Sequence, residues 1–215
     1  MVNSSNAIMQ LILIRNNFHK AREHLISDHQ NIDTNEDARI TIFSKIIIVL
    51  DSTTLYFTLH KFHLTDPAWW KNISSTKIGN SIVINPSEEV IPQLVDAFDQ
   101  FITVSFVQLL FSSLESSLRI FLRALDPIAC DKGTAEFKRI YVHLLKILDI
   151  EKYANLLKLL RLIRNTIHNN GVYFDRRRRD ECVEYDSAIY KFEVGKLVEL
   201  GDVWQLSSSI FYQIF

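Results

Sequence analysis

The sequence predicts an all-α fold: a helical bundle of five to six helices with a small β-hairpin near residues 181–198. Three observations carry this. Apolar residues recur at three- and four-residue intervals over several long stretches, the period of a helix rather than a strand. Only five Gly and four Pro interrupt 215 residues, too few for the many tight turns of an all-β chain. Hydrophobic residues make up 47%, with 14 Phe and 7 Tyr, enough for a substantial core at this length. No repeat, low-complexity tract or linker cuts the chain, so residues 1–215 read as a single domain.

The elements follow in order. A first helix spans about 5–28, opened by the capping candidates Ser4 and Ser5, with Ile8, Leu11, Ile12, Phe18 and Leu25 on its apolar side. A second spans about 35–62. Thr34 is placed to cap it, and Asp37 stands where a Glu would complete a capping box. Asp66-Pro67 ends it, and 68–86 reads as a long loop packed by Trp69 and Trp70, with a strand-like Ser81–Ile84. The longest helical pattern runs from Ser87 to Leu125 and stops at Asp126-Pro127, with Pro92 as a possible kink. Beyond Val104 it is apolar nearly all round, as expected of the central helix of a bundle. Its one polar stripe holds Glu115 and Arg119, four residues apart and in the favourable order for a pair. Further helices span about 134–148 and 151–169. Residues 181–198 then read as a hairpin turning near Asp186-Ser187, and a short helix over about 202–214 closes the chain.

Composition excludes several classes. A net charge of −1 gives no global electrostatic case for nucleic-acid binding, though it leaves room for a local basic patch. The opening Met1-Val-Asn-Ser-Ser-Asn lacks a signal peptide's basic stretch and cleavage site. The apolar runs Ile46–Leu50 and Phe101–Phe111 fall short of the ~18 residues that span a bilayer. A cytoplasmic protein with no membrane association is the expectation. Cys130 and Cys182 have no metal-ligand spacing and suit two reduced thiols. His60 and His63 lack a third ligand, so neither a metal nor a cofactor is expected. No phosphate-binding Gly-rich loop, nucleophile elbow or zinc-protease motif is present.

The helix from Glu151 to Asn169 carries the most information. At 100° per residue, Leu156, Leu159, Leu160, Ile163 and Ile167 share one face. Arg161, Arg164, Asn165 and His168 fall on the other side, within an arc of about 100°. Asn169-Asn170-Gly171 supplies the residues that tolerate a left-handed helix end. An imidazole can both take and give a proton near neutral pH, and an arginine fork suits a phosphate. His168 is then a candidate general base on a ribose 2′-OH, or acid on the leaving 5′-oxygen. Arg161 or Arg164 would hold the phosphate, a minimal apparatus for metal-independent RNA cleavage. The same residues also suit an ordinary solvated helix end.

Arg164-Asn165-x-x-His168-Asn169-Asn170-Gly171 near the end of a late helix resembles the signature of the HEPN superfamily. Its members are small helical bundles, many of them ribonucleases of toxin–antitoxin and phage-defence systems. The family pattern is an Arg, four to six residues, then a His, often with a polar residue after the Arg. Arg161 meets the spacing, with six residues before His168 but Leu162 behind it. Arg164 meets the neighbour preference through Asn165 but leaves only three residues before His168. The helix Phe111–Arg119 resembles the acidic helix that faces the motif in such bundles. The resemblance implies an RNA substrate, an antitoxin-like partner protein, and a homodimer paired through the motif helix, with Leu157 as an apolar contact. A non-catalytic dimerisation or partner-binding module is the alternative.

Three further groups bear on the site. Arg176, Arg177, Arg178 and Arg179 form the one dense positive run, placed to steer RNA toward the helix end or simply to be solvated. Glu115 either orients His168 or Arg161 across the bundle, or pairs locally with Arg119. Trp69-Trp70 suits a packing plug better than a stacking platform for bases.

Overall fold

A computed structural model describes residues 4–29, 31–75, 90–130 and 136–199, together with 204 and 206. Six helices appear among them: α1 Ser4–Asp28, α2 Ala38–Leu59, α3 Pro67–Ser74, α4 Val90–Leu125, α5 Phe137–Ile147 and α6 Ala154–His168. Two antiparallel strands follow, β1 Glu181–Tyr185 and β2 Ala188–Phe192. The architecture is the helical bundle with one small hairpin that the periodicity predicts. The strand-like Ser81–Ile84 and the start at Ser87 lie outside the described residues, as does most of the closing helix at 202–214. Of that segment Trp204 and Leu206 are helical and buried, and Trp204 packs between Phe57 and Phe106.

Local chemistry explains the boundaries. Asp37, not Thr34, caps α2: its carboxylate accepts the Arg39 backbone N–H and also pairs with the Arg39 guanidinium, which holds the carboxyl down at about 2. Asp66 caps α3 in the same way, with Pro67 at the first helical position. The expected loop after Pro67 therefore begins as a helix, because a capping Asp followed by Pro starts a helix as readily as it ends one. Trp70 donates its indole N–H to the Leu64 carbonyl and stands edge-on to Trp69, so the pair is a packing plug. α2 ends in one wide turn, His60–Leu64. The described part of α4 carries Pro92 at its third residue and runs unbroken to Leu125.

The main core joins α1, α2, α4, α6 and the hairpin through Leu11, Phe18, Leu50, Phe57, Phe106 and Leu159. A second cluster joins α4, α5 and α6 through Phe111, Phe137, Tyr141, Leu145 and Leu157. One side chain expected on an apolar face is elsewhere: Ile12 is exposed. α4 is not enclosed either, since Val104, Leu109 and Ile120 remain exposed. The most enclosed helix is α6, whose buried set includes Leu157 and Leu162 as well as the predicted Leu156, Leu159 and Ile163. Packing against α4 and α5 on one side and the hairpin on the other buries more of α6 than a single stripe.

Two helical stretches, Ala38–Leu64 and Val90–Leu125, are long and apolar enough to cross a membrane by length and composition, with 39% and 22% of the most apolar window buried. The count of uninterrupted apolar runs does not reveal them, because isolated Thr, Ser and Gln break a run without making a helix polar. A bundle's core helix has the same composition, and α2 sends Leu50, Phe57 and Leu64 into the core.

Candidate functional site

The hairpin is what shapes the surroundings of α6. Its turn residues Asp186 and Ser187 both have positive φ, 50° and 62°, as a two-residue turn of the right twist requires. Strand alternation then sends Val183, Tyr185 and Phe192 inward. β1 lies along α6, where Asn155 donates to the Glu184 carbonyl and Lys158 to the Cys182 carbonyl. The chain enters the hairpin from the α6 terminus. Asn170 and Gly171 adopt positive φ, 54° and 84°, and the Gly171 N–H closes on the Thr166 carbonyl at 2.9 Å. The Asn169 side chain donates to the Asn165 carbonyl at 2.7 Å, fastening the last turn. The predicted left-handed helix end is present at these residues.

Arg161 is held by the hairpin. Its guanidinium donates to Glu181 Oε1 at 3.1 Å, and only 18% of its side chain is exposed. Lys158 binds the other oxygen of Glu181 at 3.1 Å, and the Tyr173 hydroxyl stands 3.5 Å from the first. Burial raises the Glu181 carboxyl, but hydrogen bonds from Lys158 and Arg161 outweigh it and leave it below the ordinary range. Burial pulls Arg161 the other way, and the Glu181 contact more than offsets that, so its charge is secure.

Arg164, one helical turn further on, meets no carboxylate among the described residues. Its guanidinium lies over the Phe111 ring of α4, 5.4 Å from the centroid, and makes a long 3.4 Å contact to Asn165 Oδ1. The Nε–H groups of both arginines are buried with no hydrogen-bond partner among the described residues. His168 is exposed as the last residue of α6, four residues from Arg164 and hence about 6 Å away between Cβ atoms.

Glu115 and Arg119 form the local ion pair along α4, so Glu115 is engaged by its own helix rather than by His168. Arg176 to Arg179 are exposed on a turn set by Asp175, whose carboxylate accepts the backbone N–H of Arg177 and Arg179. No ion pair to any of the four guanidinium groups occurs among the described residues. Leu157, expected at a pairing face, is buried against Phe111, Phe137 and Tyr141 of the same chain. Cys182 is a free, exposed thiol.

The structure thus gathers Arg164, Asn165, Asn169 and His168 at one helix end, while Val172 and the buried Tyr173 separate that end from the turn of Arg176–Arg179. It assigns Arg161 to a different, hairpin-facing cluster. One polar cluster was not read from the sequence. Tyr56, His60 and Asp99 are all buried between α2 and α4, with the Tyr56 hydroxyl donating to Asp99 and His60 Nε2 3.4 Å from it. Burial and the Asp99 contact push the Tyr56 hydroxyl well above its ordinary value. Asp99 on the same helix face as Phe106 and Leu110 was the signal that could have found it. In comparison with known proteins, no family, no curated protein and no solved structure matches this chain.

Proposed function

We propose that the end of α6 is the site of a metal-independent RNA endonuclease of the HEPN-like toxin and defence type, acting in the cytoplasm. The observation that carries the reading is the exposed His168 one turn from Arg164, whose guanidinium lies on the Phe111 ring with no acidic partner among the described residues. His168 takes the proton of a ribose 2′-OH, whose oxygen attacks the adjacent phosphorus while the 5′-oxygen leaves. The products are a 2′,3′-cyclic phosphate and a free 5′-OH. Arg164, stacked on Phe111, offers its terminal N–H groups to the charge that grows on the phosphoryl oxygens. Asn165 and Asn169 hold the last helical turn that carries the imidazole. Arg176–Arg179 attract the RNA backbone. Arg161 belongs to the scaffold in this reading, since a phosphate would have to displace Glu181 to reach it.

Pairing of two chains through α6 would bring a second imidazole to the site as the acid. With Leu157 engaged inside the chain, that contact would rest on polar side chains. A non-catalytic module that binds an antitoxin-like partner is the second reading. It is favoured by one observation: Arg161, the arginine with the family spacing to His168, is neutralised by Glu181.

Labelled single-stranded RNA incubated in EDTA with the wild type and with His168→Ala separates the two. Cleavage leaving cyclic phosphate ends, lost in the variant, is the expected result. A folded wild type that leaves every RNA intact abandons the nuclease for the binding module.

A further inference from the structure

We infer that the outer face of α2 and the N-terminal half of α4 form the contact surface for a second copy of this chain, separate from the end of α6. On α2, Ile48, Leu55, Leu59 and Phe62 are spaced by seven, four and three residues, one stripe of the helix. All four are exposed. On α4, Leu94, Phe98, Phe101 and Val104 continue at intervals of four, three and three, also exposed. The stripes are joined through Tyr56, whose ring meets Phe98 edge-on at 4.9 Å, and Phe98 stacks on Phe101 at 6.4 Å. Ile48, Leu55, Phe62 and Phe101 each keep at least 60% of their surface exposed.

The size of the face points to a macromolecular partner. The eight side chains leave on the order of 900 Å² of apolar surface open, above the roughly 300–600 Å² of the largest patch on an ordinary monomer. It is close to the about 800 Å² per side that a stable protein pair buries. Charge is sparse on it: the exposed Lys61 stands over the Phe62 ring, 5.4 Å from its centroid, at one edge. Asp51 turns aside to pair with Arg15, and Asp99 lies buried beneath the face with Tyr56 and His60. Asp96 stands two residues from both Leu94 and Phe98, on the far side of α4.

Ile46–His60 and Val90–Leu118 contain acids but no Lys or Arg, and only Lys45 and Lys61 flank the α2 stripe. An anionic bilayer surface selects the opposite balance, whereas a charge-depleted apolar centre is what protein interfaces carry. A second copy brings a face of the same area and the same apolar character, and a two-fold axis through the patch covers both at once. The buried Tyr56–Asp99–His60 cluster ties α2 to α4 and keeps the two stripes in register. The surface exists whether or not the α6 end cleaves RNA.

Sedimentation of the full chain at micromolar concentration tests this. The expected mass is twice 25.1 kDa for the wild type, or a higher multiple where the α6 ends pair as well, and Leu55→Glu and Phe101→Glu should each at least halve it. Ile128→Glu, at a residue beyond the end of α4 that is 78% exposed, should keep the wild-type mass. Helix content by circular dichroism checks that the variants fold, and Phe62→Ser at the end of α2 provides a milder substitution with the same expected dissociation. A monomeric wild type overturns the inference, and so does a mass unchanged in all three face variants. Flotation of a monomeric wild type with phosphatidylserine-containing vesicles, lost in Phe101→Glu, would replace the second copy by a membrane. Cleavage measured on the same samples keeps the outcome for the nuclease separate.

Discussion

Arg161 and Arg164 stand three residues apart on one helix, about 60° around its axis, and meet opposite surroundings. The hairpin side of α6 gives Arg161 a carboxylate, a second cation and the Tyr173 hydroxyl beside them. The α4 side gives Arg164 an aromatic ring and open solvent toward His168. A guanidinium bound to a carboxylate has its donors occupied by an anion already, so it stabilises the fold and is a poor receptor for phosphate. One stacked on a ring keeps its edge donors available. The difference teaches that residue type and spacing do not identify a catalytic arginine. The neighbour supplied by another element decides which arginine keeps its donors free.

Four experiments would break or sharpen that contrast, taken from the largest effect down. His168→Ala should lower RNA cleavage by about 100-fold or more while leaving the melting temperature nearly unchanged, because the side chain is exposed; retained cleavage removes His168 from the chemistry. Arg164→Ala should reduce cleavage by a comparable factor of about 100 at a stability cost of only about 0.5–1 kcal/mol for the lost ring contact. Arg161→Met should show the reverse pattern, little change in cleavage and a loss of about 1–2 kcal/mol in denaturant unfolding. Adding Glu181→Leu to it should recover part of that loss, since the carboxylate left with Lys158 alone goes too. If Arg161→Met and Arg164→Ala instead behave alike, the assignment of roles is wrong.

The smallest effect is a dependence on pH. The Glu181 carboxyl lies below its ordinary value of 4.5 in the folded chain. Its contribution is therefore complete above about pH 4.5 and is lost as pH falls through the lowered folded value. The wild type should lose stability over that acidic window by more than Glu181→Gln does, compared by thermal melts in matched buffers. Equal slopes would mean that the ion pair contributes nothing measurable.

Much of this molecule was legible before any coordinates. The apolar period of α1, α2, α4, α5 and α6 is a property of short windows, and so were the ends of most helices. The Asp186-Ser187 turn was readable because two strand-like runs flank it, and the left-handed end of α6 because Asn170-Gly171 tolerates that backbone. α3 escaped because Trp69-Trp70 and Pro67 read as a loop, although Asp66-Pro67 is also a helix start. The Arg164–Asn165–His168 cluster was legible for the same local reason, since a helix brings residues three and four apart together whatever surrounds it.

What local pattern determined, then, is which residues share a face of a helix. What only the tertiary structure decided is which faces meet. Glu181 lies twenty residues from Arg161, and nothing in the period of α6 points to it. Leu157 became core rather than interface because α5 packs on that side. The stripe from Ile48 to Phe62 stayed open because none of the described elements covers it. Helical periodicity arises from bonds four residues apart, whereas the partner of a buried charge, and the cover over an apolar face, arise from contacts between elements distant in sequence.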